Sequence, residues 1–149
     1  MEDIIKIVIK GHSYWRSRPI YDDKVTITPE QISYEYIPIS DDDDIYLKRK
    51  WSYKTTNPIF KMKFTKICEL LKKAFETVDR NMGVLDVQGI NFIVVFADRT
   101  KYKVYYPVPA DEFEELFRAI KNIVPQCEDI PKVLVTSEDF KKIREMEKE

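Results

Sequence analysis

His12 is the sole histidine of a 149-residue chain, and the residues around it form a dense gathering of side chains able to do chemistry. The stretch GHSYWRSR, residues 11–18, is followed by YDD at 21–23, which collects His12, Tyr14, Arg16, Arg18, Tyr21, Asp22 and Asp23 within a few positions. An imidazole beside a carboxylate can move protons in general acid–base catalysis. Two arginines can clamp a phosphate or a carboxylate through their paired N–H donors. His12, Arg16, Arg18 and Asp22 are therefore one candidate site, carried on a loop. Two points count against it. No periodic element fixes either aspartate near the imidazole, and Trp15 with Tyr21 would more simply plug one end of a core. A lone histidine also excludes a multi-histidine metal centre.

The second constellation is DDDDIYLKRKWSYK, residues 41–54. Successive side chains of a strand point to opposite faces. By that alternation Ile45, Leu47, Trp51 and Tyr53 share one face with Arg49, while Tyr46, Lys48, Lys50, Ser52 and Lys54 share the other. In KYKVYY, residues 101–106, Lys101, Lys103 and Tyr105 oppose Tyr102, Val104 and Tyr106. If helices cover the apolar side, the uncovered side displays Tyr46, Lys48, Lys50, Lys54, Lys101, Lys103 and Tyr105 as a candidate ligand-binding surface. Lys6 and Lys10 can join it. Cations for phosphates and rings for stacking are the means by which several single-strand binders work, each stacked base contributing roughly 1–3 kcal/mol. The plainer reading is a solvated sheet face, since antiparallel sheets commonly leave one face wet and lysines there discourage edge-to-edge aggregation. The run Asp41–Asp44 lacks the alternating ligands, turn glycine and distal glutamate of a calcium loop, so it reads as a solvated connection and no metal site is expected.

Composition narrows the choice further. The chain has a net charge of −1 and a pI near 6.0, so any attraction to a polyanion must come from a local patch. With only 3 glycines there is no glycine-rich phosphate loop, and no nucleophile elbow or zinc-protease helix is present, so neither a cofactor nor enzymatic activity is expected. Two cysteines, Cys68 and Cys127, make neither a disulfide framework nor a zinc site and fit a reducing cytoplasm. MEDIIKIVIKG is broken by Lys6 and Lys10 and is not expected to act as a signal peptide. No apolar run approaches the ~20 residues of a membrane span, so no membrane association is expected.

These residues must be held by a scaffold. IIKIVIK, residues 4–10, alternates as a strand with Ile5, Ile7 and Ile9 on one face and Lys6, Val8 and Lys10 on the other. Residues 11–23 show no clear period and read as a long connection. KVTITPEQISYEYIPI reads as a hairpin ending at Pro38, and 45–54 as the next strand. NPIFKMKFTKICELLKKAFETV carries Asn57 as N-cap, Pro58 at the first helical position and an apolar stripe of Phe60, Phe64, Ile67, Leu71, Phe75 and Val78. Met62 falls on the outer side, and Cys68 reads as a small buried hydrophobe. INFIVVFA, residues 90–97, is apolar on both faces and reads as a strand covered on both sides, joined by DRTK to the 101–106 strand. DEFEELFRAIKNIV is a second helix, with Asp111 and Glu114 resembling a capping box. IPKVLV adds a short strand and 137–147 a charged last helix.

Three stretches, RKWSYKTTNPIF (49–60), DVQGINFIVVFADRTKYK (86–103) and YPVPADEFEELFRAIKNIVPQCEDIPKVL (106–134), resemble a family of small bacterial α+β proteins of uncharacterised function. The resemblance implies a bacterial, single-domain protein and supplies no catalytic or binding residue. The expectation is one α+β domain over 1–149: a mainly antiparallel sheet of five to six strands, two amphipathic helices packed on one face, and a short C-terminal helix. The functional expectation is a non-catalytic binding or protein-interaction module. Single-stranded nucleic-acid binding through the lysine and tyrosine face is the alternative, and an enzyme centred on His12 the third reading.

Overall fold

The computed structural model describes residues 3–15, 18–38, 49–77, 89–106, 113–125 and 131–134. Its elements are β1 (Ile4–Trp15), β2 (Arg18–Thr28), β3 (Gln31–Pro38), β4 (Arg49–Lys54), α1 (Pro58–Thr77), β5 (Gly89–Phe96), β6 (Lys101–Tyr106) and α2 (Glu114–Lys121), followed by a 3-10 turn at Lys132–Leu134. The strands form one open six-stranded sheet in the order β4-β3-β2-β1-β5-β6. Every neighbouring pair is antiparallel, so the chain is α+β as expected.

The stretch expected as a long connection is a correction. Residues 11–15 continue β1 and 18–23 open β2, pairing to the ends of both strands. Two features hide this from the alternation. The register shifts between Ser13 and Tyr14, which breaks the two-residue period, and Pro19 sits inside β2. A second register shift between Ile4 and Lys6 brings Ile4 into the core cluster and leaves Ile5 only half-buried, the reverse of strict alternation. β3 ends at Pro38, whose missing N–H cannot extend the ladder.

One face of the sheet carries Ile7, Ile9, Val25, Ile27, Ile32 and Phe92, all fully buried. The helices lie on this face. Phe75 of α1 meets Phe92 edge-on at 5.3 Å, Phe117 of α2 stacks on the same ring at 6.4 Å, and Phe60 reaches Tyr53 at 6.2 Å. α1 therefore crosses the sheet from β4 at its first turn to β5 at its last. Its sequence explains its start. Pro58 opens the helix, and the Asn57 side-chain oxygen accepts the Ile59 N–H at 2.9 Å. Phe60, Phe64, Ile67 and Leu71 are buried as their spacing predicts, joined by Leu70 and Ala74; Phe75 is half-buried against the core, and Val78 lies outside the described residues. Cys68 is half-buried against the core.

α2 starts at Glu114 with buried Phe113 at the cap position and no side-chain cap, while Asp111 of the expected capping box lies outside the described residues. The expected strand in IPKVLV is a 3-10 turn instead, closed by the Leu134 N–H on the Pro131 carbonyl. β5 is buried on the helix side only: Asn91, Ile93 and Val95 on its other side are half-buried. Its position next to the edge strand β6, with no layer described beyond that side, accounts for the difference. Residues 45–48 and the expected last helix, 137–147, lie outside the described residues.

Candidate functional site

The second face of the sheet is built by the intervening positions of each strand. Register fixes its rows. Lys50 lies opposite Glu35, Glu35 opposite Lys24, Lys24 opposite Lys10, Lys10 opposite Asn91, and Asn91 opposite Tyr105. The next row runs Ser52, Ser33, Thr26, Val8, Ile93 and Lys103. In a third, Lys54 pairs with Gln31, and Lys6 and Lys101 both pair with Val95. Lys6, Lys24, Lys50, Lys54, Lys101 and Lys103 are exposed and Lys10 is half-buried. Tyr105 is 43 % exposed. Val8 is buried yet stands outside the main core cluster, which fits a central strand whose wet face is shaded by the stems of neighbouring side chains.

Of the expected surface, Lys50, Lys54, Lys101, Lys103 and Tyr105 share this face, with Lys6 and Lys10 beside them. Tyr46 and Lys48 lie outside the described residues. Lys24 was not among the expected residues, although the same alternation carried one step back from Thr26 reaches it. Its position is chemically informative. Residues directly opposite in an antiparallel pair hold their Cβ atoms about 4.5–5.5 Å apart, and like charges there are destabilising. Lys10 and Lys24 form such a pair at the middle of the sheet. Among the described side chains of this face the carboxylates are Glu35, between Lys24 and Lys50, and Asp22.

The second candidate site is placed differently from expectation. His12 sits on β1 with its Cα opposite Asp22 on β2, so strands and not a loop carry both. The side chains of His12 and Arg18, and all of Arg16, lie outside the described ones. Asp23 points the opposite way from Asp22 and is 2 % exposed. Its Oδ2 accepts the Tyr34 hydroxyl and the Val133 N–H, each at 2.9 Å. It is a structural clamp joining β2 and β3 to the 3-10 turn. Gly11 packs against the same carboxylate and against Val133.

Two further groups have shifted proton affinities. Burial pushes the Cys68 thiol up to about 12, opposed by the Lys72 ammonium, so it stays protonated at neutral pH. The Asp98 carboxyl is held below its ordinary range by the Thr100 hydroxyl and N–H in the β5–β6 turn, where Arg99 takes a positive φ of 72°. Among the described residues no group of three His, Cys, Asp or Glu side chains is placed to hold a metal ion, and no helix is long and apolar enough to cross a membrane. The Asp41–Asp44 run lies outside the described residues. No known protein family matches the chain, and none of the curated proteins matches it.

Proposed function

We propose that the protein is a non-catalytic binding module that uses its open sheet face to hold an extended anionic partner. The single observation that carries this reading is the Lys10–Lys24 pair, two lysines directly opposed in register at the centre of a face that also bears Lys6, Lys50, Lys54, Lys101 and Lys103. A fold under pressure for stability alone would place opposite charges there. An anion lying between the strands removes the repulsion and adds charge-assisted hydrogen bonds. Exposed Tyr105, beside the neutral Asn91, favours single-stranded nucleic acid as that anion, because a ring can stack on any base. A cytoplasmic, bacterial setting belongs to the same proposal.

The experiment is a salt titration of a fluorescent oligothymidylate binding to the full chain. Log affinity falls linearly with log salt, and Lys24→Glu or Lys103→Glu each weakens binding and lowers the slope by about 0.7 per lost phosphate contact. His12→Ala leaves binding unchanged. Absent or salt-insensitive binding removes the nucleic-acid reading. The His12-centred enzyme is the lesser reading, supported by the cross-strand placement of His12 and Asp22.

A further inference from the structure

The helix side carries a second surface with its own charge pattern. A groove of about 530 Å³ runs between the end of β4, the first turns of α1 and the end of α2, lined by Tyr53, Ile59, Phe60, Lys63, Ile123 and Val124 among others. Its rim carries exposed apolar side chains: Ile59 is 58 % exposed and Tyr53 43 %. One turn along α1 from Ile59, Met62 is 71 % exposed. Methionine on an exposed surface suits a contact that must adapt to its partner.

The charges around the groove run against the helix dipole. A helix N-terminus carries partial positive charge and favours acidic side chains, as α2 shows with Glu114 and Glu115 in its first turn and Arg118 and Lys121 in its last. α1 has no acidic residue in its first turn, and exposed Lys61, Lys63 and Lys66 follow. Lys66 has a 4.0 Å ion pair with Glu69, whereas among the described residues no carboxylate pairs with Lys61 or Lys63. The corner thus joins exposed apolar side chains, a concave floor and, in Lys63, a cation with no carboxylate partner among the described residues.

We infer that this corner is a docking site for an acidic amphipathic segment of another protein, whose apolar side fills the groove beside Ile59 and covers Met62 and whose carboxylates meet Lys63 and Lys66, the lysines at helical spacing on the same side of α1. The mode is helix-in-groove recognition, with apolar anchors at helical spacing and charge setting orientation. It uses none of the residues of the open sheet face, so it stands or falls separately from the nucleic-acid reading.

The test uses a fluorescein-labelled peptide of about five helical turns, leucine on one face and glutamate on the other, against a copy with lysine replacing glutamate. Anisotropy with the full chain is expected to show saturable binding of the acidic peptide only, with amide shifts confined to 53–66 and 122–125. Ile59→Glu is the decisive variant. It places a carboxylate in the first turn of α1, where the dipole favours it, so thermal stability holds or rises while peptide affinity falls at least about tenfold. Met62→Glu weakens binding similarly, and both variants keep wild-type oligothymidylate binding. Equal binding of the two peptides, amide shifts on the sheet face, no binding of the acidic peptide, or a concentration-dependent dimer abolished by Met62→Glu would each overturn the proposal, the last by making a second copy the occupant.

Discussion

Asp23 shows what a single buried carboxylate does for this fold. It sits 110 positions from Val133 in sequence, and its Oδ2 takes both the Tyr34 hydroxyl and the Val133 N–H. Removing it leaves two donors behind, and an unsatisfied buried donor costs about 1–3 kcal/mol. Gly11 completes the arrangement. A Cβ there would stand under 3.0 Å from Asp23 Oδ1 and from the Val133 side chain. Neither neighbour can retreat, because hydrogen bonds hold the carboxylate and Val133 is pinned by its own N–H. Gly11→Ala is therefore expected to lower stability by about 1–3 kcal/mol in urea unfolding. Combined with Asp23→Ala it should cost clearly less than the two single changes added, since the second change removes one of the obstacles. Additive losses would show that the glycine acts independently of the carboxylate. None of this was legible in the sequence. YDD reads as a possible proton relay beside His12, and only the register separates Asp22 from Asp23 across the sheet.

Elements were legible where one rule governed them. α1 carries its cap, its first-position proline and its stripe in plain order, and the structure begins it at Pro58. β1 and β2 were legible over their inner halves only, because a register shift at Ser13/Tyr14 and Pro19 erase the two-residue period farther out. IPKVLV misleads for a different reason: its apolar alternation suits a strand, but the Val133 N–H goes to Asp23. The lysine face was legible in β4 and β6 and extended to Lys24 by position alone. Its cost to the fold is testable. Lys10→Glu sets a carboxylate opposite Lys24 and is expected to raise stability by about 0.2–1 kcal/mol while weakening oligothymidylate binding. Stability and binding moving in opposite directions would mark a strained functional surface. A stability loss would mean that the lysine pair is already neutralised by other groups of this chain.

At the scale of the whole molecule the net charge of −1 conceals two cationic surfaces on opposite layers. One lies on the side of the sheet away from the described helices and the other at the helix corner; they approach each other at the end of β4, where Lys54 of the first stands between Tyr53 and Thr55 of the groove. Across the rest of the sheet the helix layer of about 10–12 Å separates them, more than the Debye length of about 8 Å at 0.15 M ionic strength and well within the ~30 Å found at 0.01 M. Both proposed partners are anionic, so each repels the other through the protein at low salt. Preloading the chain with oligothymidylate is expected to weaken the acidic peptide several-fold at about 0.01 M and far less at about 0.15 M. Linkage requires the reverse experiment to give the same factor. Coupling of the same size at the higher salt would need a contact or a conformational change linking the layers. One route for such a change is the packed core around Phe92, which touches both helices and lies one residue from Asn91 and Ile93 on the open face. Substituting Phe92 with Leu would then alter such coupling, whereas coupling by charge alone would be indifferent to it.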